Sequence, residues 1–149
     1  MDHHLLLIIH ILSATIWVGG HLYLVISIIP EVLRKRDSAK LLTFEKSFEP
    51  LGITALFLLV ISGFWMMFQF GIGWSDIFSF ATPIERVTST KILLLISTVL
   101  FALSAQFRVI PSLKKSPDRL PEMAVHAVSV TLIGVAMLIL GTFVRYGGI

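Results

Sequence analysis

Residues 5–30 read LLLIIHILSATIWVGGHLYLVISIIP and contain no Asp, Glu, Lys or Arg. About 20 apolar residues in a helix cross a hydrocarbon core of roughly 30 Å. Lipid offers no partner for free peptide groups, so such a segment has to be helical. The stretch therefore predicts a membrane-spanning helix over about 5–29. A cleavable leader would have a basic start and a shorter apolar run. This chain opens Met-Asp-His-His, and the segment is expected to remain in the mature protein.

Three further stretches repeat the pattern. Residues 51–72 are uncharged, 88–109 carry only Lys91 and Arg108 near their ends, and 123–144 are uncharged. The expected fold is all-α, an integral membrane four-helix bundle forming one membrane domain over 1–149. Composition agrees: 56% of the 149 residues are hydrophobic and 14% charged, against about 25% charged in an ordinary soluble domain. Mean hydropathy is +0.90. With no cysteine, disulfides, zinc–thiolate sites, iron–sulfur clusters and thiol nucleophiles are excluded.

The basic residues set a direction. Arg34, Lys35, Arg36, Lys40 and Lys46 fall between the first two spans, and Arg108, Lys114, Lys115 and Arg119 between the last two. Only Arg86, Lys91 and Arg145 belong to the other side. The positive-inside rule then puts both termini outside the cytoplasm. Topology accounts for these cations, which interleave with Glu31, Asp37, Glu45, Glu49 and Asp118, and no nucleic-acid partner is expected. Pro30 and Pro111 are expected to close the first and third spans, and Pro50 to mark a bend at the entry to the second. Trp74, Phe78 and Phe80 in the loop after the second span suit an interfacial aromatic belt.

Ionisable side chains inside a span cost free energy unless they face the bundle interior and find a partner. Four qualify: His10, His21, Lys91 and His126. His10 and His21, eleven residues apart, share one helix face within about 20°. Gly19 and Gly20 remove bulk beside that face. Depth along the spans pairs His21 with His126 near the basic side, where two neutral imidazoles on facing helices can serve as axial ligands of one haem iron. Near the outer side His10 is expected to pair with Lys91, Met66, Met67 or Met137 at a second site. A free N-terminus with a third-position histidine, Met1-Asp2-His3, can hold Cu(II) through four nitrogens, which makes His3 a copper candidate. No Ser-His-Asp triad, paired-carboxylate hydrolase site or phosphate loop is present.

His10-Ile11 followed by Ile16-Trp17-Val18-Gly19-Gly20 resembles the first helix of the copper-resistance D (CopD) family of bacterial inner-membrane proteins, where a His precedes a Trp-x-Gly-Gly run. The segment from Phe44 to Gly63, with Phe48-Glu49-Pro50 and Ser62-Gly63, is similar to that family's second helix, and Thr90-Lys91-Ile92-Leu93-Leu94 to its third. The layout is also similar to the HemJ-type protoporphyrinogen oxidases, four-span proteins that bind b-type haem. That resemblance implies roles for His10 and Lys91. Together the residues and the resemblances imply a multi-pass inner-membrane protein binding one or two b-type haems for electron transfer, with copper transport and protoporphyrinogen oxidation as alternatives. Lipid, a quinone or redox partner protein, and a second copy of the chain are the expected partners.

Overall fold

The computed structural model describes residues 3–149. Four long helices, each apolar enough to cross a membrane, account for most of them: α1 (His3–Lys35), α2 (Ser38–Gln69), α3 (Pro83–Leu113) and α4 (Pro117–Val144). No strand occurs among the described residues.

α1 and α3 run past the expected span ends at the basic side, and the prolines explain how; α2 instead stops at Gln69, three residues short of the expected 72. A proline inside a helix lacks the N–H that would bond back four residues, and its ring crowds that carbonyl. Pro30 and Pro111 do not terminate their helices. Each is instead preceded by a turn of π-helix, Leu24–Ile28 and Ala105–Val109. In these turns the Ile29 N–H donates to Leu24 O and the Ile110 N–H to Ala105 O, one residue further back than in an α-helix. The widened turn shifts the bonding pattern ahead of the proline, so both helices carry on to Lys35 and Leu113. Pro50 lies inside a continuous α2.

Helix ends follow local chemistry. Arg36 adopts the left-handed conformation that closes α1, and the Asp37 side chain accepts from the Lys40 amide to start α2. This makes a tight turn. At the other end, Thr82 and Glu85 form a reciprocal cap with Pro83 in the first turn of α3, the arrangement that satisfies exposed amide donors.

α1 packs closely on α2, α4 on α3, and α1 on α4, while α2 and α3 meet chiefly at their ends. The largest core lies toward the basic loops, where Leu24, Ile28, Val32, Leu41, Val109, Leu113, Leu120 and Met123 pack together. A smaller one at the opposite end gathers Met67, Ile72 and Ile77 against Phe64, Ile84 and Ile92. The two basic loops share one end of the bundle, joined by Arg36 to Asp118 at 2.7 Å. Trp74, Phe78 and Phe80 are exposed at the other end, with Trp74 packed on Phe64 and Phe68.

Candidate functional site

The polar face of α1 points at α2. His3 and His10 lie seven residues apart, and so do their partners Ser62 and Gln69, so the two pairs keep one antiparallel register. His3 Nδ1 donates to Gln69 Oε1 at 2.8 Å, and His10 Nδ1 meets Ser62 Oγ at 2.9 Å. The Ser62 hydroxyl proton is committed to the carbonyl of Leu58, so Ser62 accepts from His10. The Leu59 carbonyl also accepts from this ring, and with Nδ1 assigned as the donor of the neutral ring Nε2 keeps its lone pair. Gly63 makes room for this ring, since a Cβ there would lie 3.3 Å from His10 Cε1.

Around His10 the other helices contribute as well. The Lys91 ammonium of α3 is close enough to interact with His10 electrostatically, and a Cβ on Gly141 of α4 would stand 3.7 Å from Lys91 Nζ. All four helices thus build one interior centre. Among the described residues no carboxylate pairs with Lys91. Thr98, seven residues further along α3 and on the same face, is buried with no protein partner for its hydroxyl.

His21 sits toward the basic end of the same α1 face. Its Nδ1 donates to the Trp17 carbonyl at 2.8 Å, one helical turn back. The Trp17 ring lies over it at 4.4 Å between centroids, and Phe48 of α2 meets it edge-on at 5.7 Å. Phe48 fits only because Gly20 and Gly52 lack side chains: a Cβ on Gly20 would overlap its ring, and one on Gly52 would approach to 3.0 Å. Gly19 has open space around it.

His126 on α4 is 8% exposed and has both nitrogens occupied. Nδ1 donates to the Glu122 carbonyl at 2.9 Å, and Nε2 accepts from the Ser104 hydroxyl of α3 at 3.0 Å. Phe101 packs edge-on against the ring. The Glu122 carboxylate in turn holds Arg108 at 2.6 Å and Arg119 at 2.9 Å.

His21 and His126 therefore have separate surroundings. The His21 carbonyl stands 3.3 Å from the Thr131 hydroxyl, five residues beyond His126 on α4, an axial offset of about 7.5 Å. Helical side chains lean toward their own N-terminus, and α1 and α4 run in opposite directions. The two rings consequently diverge, each toward the carbonyl one turn behind it. His10 and Lys91, by contrast, are brought together. Met67 packs in the small outer core with Ile72 and Ile77. Of the N-terminal copper candidate, Met1 and Asp2 lie outside the described residues, and the His3 Nδ1 that it would use donates to Gln69.

Sequence reading left out the two serines. Ser62 and Ser104 look like ordinary small polar residues in apolar runs, yet each fixes the proton of an imidazole. The matching seven-residue spacings of His3/His10 and Ser62/Gln69 were the available signal.

Among the described residues no three His, Cys, Asp or Glu side chains gather where they could hold a metal ion. A family model described as Copper resistance protein D, CopD, matches residues 42–144. The match covers nearly all of α2 and the whole of α3 and α4, with Ser62, Lys91, Ser104 and His126, and begins after the four histidines of α1. No curated protein and no solved structure matches the chain.

Proposed function

The chain belongs to the copper resistance protein D family, and on that premise we propose that it is a membrane electron-transfer protein holding b-type haem through interior imidazoles. One observation carries this reading. His10 and His21 each have Nδ1 committed to a hydrogen bond, which leaves Nε2 as the ligating nitrogen in a fixed ring orientation.

The donor set fits haem better than a bare ion. A porphyrin supplies four nitrogens, so the protein need offer only one or two. A copper ion held by protein alone would draw on several side chains, and no such group of three is gathered among the described residues. Haem, when bound, supplies a one-electron couple. The chain's own contribution is to position ligands and set the local charge. Ser62 orients His10, and Trp17 and Phe48 fix the plane of His21. Lys91 places a positive charge beside His10 that favours the less positive, reduced state. The Lys91 ammonium and the Thr98 hydroxyl, on one face of α3 and without an acidic or a hydrogen-bonding partner respectively among the described residues, suit an interior guest with polar edges.

The axial pair His21 and His126 is the less favoured arrangement, because His126 has to release Ser104 and turn before it can serve. We place the basic loops in the cytoplasm of a bacterial cell and both termini in the periplasm, following the distribution of Lys and Arg. A quinone or redox partner protein exchanges electrons at either face, and a second copy of the chain is a further candidate partner. A dithionite-reduced minus air-oxidised spectrum of purified protein, with a pyridine haemochrome count, tests the assignment. Sharp b-type bands are expected. Colourless protein from haem-replete cells defeats it.

A second reading, copper passage, is favoured by the family's name and by His3, His10 and His21 lying on one face of α1. It predicts copper accumulation in cells that depends on these histidines, without bound porphyrin. Oxidation of protoporphyrinogen, the third reading, predicts rescue of cells lacking that oxidase.

A further inference from the structure

The basic end of the bundle carries a cleft that the redox reading does not use. It lies where α3 turns into α4 and is lined by Ser112, Lys115, Ser116, Asp118 and Arg119, with a volume of about 550 Å³. Its one carboxylate and the Glu122 behind it are already engaged. Asp118 bonds Arg36 at 2.7 Å and accepts from the Ser116 hydroxyl at 2.9 Å, and Glu122 behind it is shared by Arg108 and Arg119. Of the charged residues that line the cleft, two are cations, Lys115 and Arg119, against one carboxylate, Asp118, whose charge is already met by Arg36. Lys115 is exposed and has no acidic partner among the described residues. The cleft carries an excess of positive charge and offers ammonium and guanidinium donors, which matches a phosphodiester.

Its depth names the source of that phosphate. The uncharged part of α3 ends at Phe107, and the cleft begins at Ser112, about 7.5 Å further along the axis, at the level where headgroups border the hydrocarbon. Leu100, Leu103 and Phe107 lead up to it on the same helix, all strongly exposed, with Phe107 at 77%. We propose that this cleft binds the phosphate of an anionic phospholipid from the leaflet facing the basic loops, with the exposed apolar residues of α3 carrying its acyl chains. The proposal stands apart from haem or copper binding. Juxtamembrane cations attract anionic lipid diffusely, whereas a cleft also selects a place.

Native mass spectrometry of the full chain in detergent, titrated with phosphatidylglycerol, phosphatidylcholine or inorganic phosphate, tests it. Phosphatidylglycerol should be retained on the wild-type chain in preference to phosphatidylcholine, and millimolar inorganic phosphate should not displace it. Lys115→Glu should lower its occupancy about tenfold, a change of about 1.4 kcal/mol. Lys46→Glu, at an exposed position near the start of α2 at the same end of the bundle, should leave it within a factor of two. Circular dichroism confirms that both variants remain helical, and Lys115→Ala, which only removes the charge, replaces Lys115→Glu if that variant does not fold. Equal losses in the Lys115 and Lys46 variants overturn the cleft in favour of diffuse attraction. Equal retention of the two lipids, or displacement by inorganic phosphate, removes the phospholipid assignment.

Discussion

His10 and His126 are the same residue type, each facing a serine on a neighbouring helix, yet the two sites are chemically opposite. At the α1–α2 seam Ser62 accepts from His10 Nδ1, and Nε2 is left for a ligand. At the α3–α4 seam Ser104 donates to His126 Nε2 while the helix's own carbonyl takes the Nδ1 proton. One imidazole is presented and the other is consumed. The direction of a single hydroxyl proton decides which, because a serine that spends its proton on its own helix can only accept from outside. An intramembrane histidine is thus a functional candidate by cost and a ligand only by the bonding of its second nitrogen.

The comparison can be broken most sharply by removing each ring. His10→Ala is expected to lower haem content at least tenfold, equivalent to about 1.4 kcal/mol or more, in the pyridine haemochrome assay, whereas His126→Ala retains the b-type bands. Loss of the bands in His126→Ala with retention in His10→Ala would reverse the two roles.

Packing next to His21 gives the second effect. Gly20→Ala drives a methyl into the Phe48 ring, which is already confined by Gly52 and Phe44. Overpacking of this kind costs typically 1–3 kcal/mol. Gly19→Ala, one position away and facing open space, should melt at or above the wild-type temperature. Thermal denaturation in detergent checks both, and equal melting of the two variants discards the glycine–phenylalanine fit.

The serines sharpen the contrast at smaller amplitude. Ser62→Ala and Ser104→Ala each remove one interhelical hydrogen bond, worth about 0.6 kcal/mol in a membrane interior. Their stability losses should be alike. Their spectra should differ: Ser62→Ala frees His10 to change tautomer and shifts the haem bands, while Ser104→Ala leaves them in place. Matching spectral shifts in the two variants contradict the assignment of nitrogens.

The smallest effect belongs to the link between the basic loops. Arg36 and Asp118 are 70% and 73% exposed, and exposed ion pairs contribute about 0–1 kcal/mol. A double-mutant cycle of Arg36→Ala and Asp118→Ala is expected to give a coupling within that range that fades in high salt. A larger, salt-insensitive coupling means that this pair clamps the two loops.

Much of the fold was legible in the chain. The apolar stretches at 5–29, 88–109 and 123–144 lie within long helices, and 51–72 does so up to Gln69, where α2 ends; His10, His21, Lys91 and His126 stood out because charge or hydrogen-bonding capacity is conspicuous there. The prolines misled, since Pro30 and Pro111 look like helix ends until a π-turn absorbs the missing N–H. Depth counting put His21 beside His126 but carried no information on the opposite lean of their rings. It also gave no reason to select Ser62 or Ser104 among many hydroxyl residues, most of which bond to their own helix, as Thr15, Thr54 and Ser97 do.

By itself the sequence determined four helices long and apolar enough to cross a membrane, with both basic loops at one end, because transfer from water to hydrocarbon depends on composition along a segment and needs no neighbour. Only the tertiary structure decided that His10 sits with Lys91, that Phe48 fills the gap left by Gly20, and which imidazole keeps a free nitrogen. Those outcomes depend on the direction of single bonds across a helix seam, and such directions exist only once the register between helices is set.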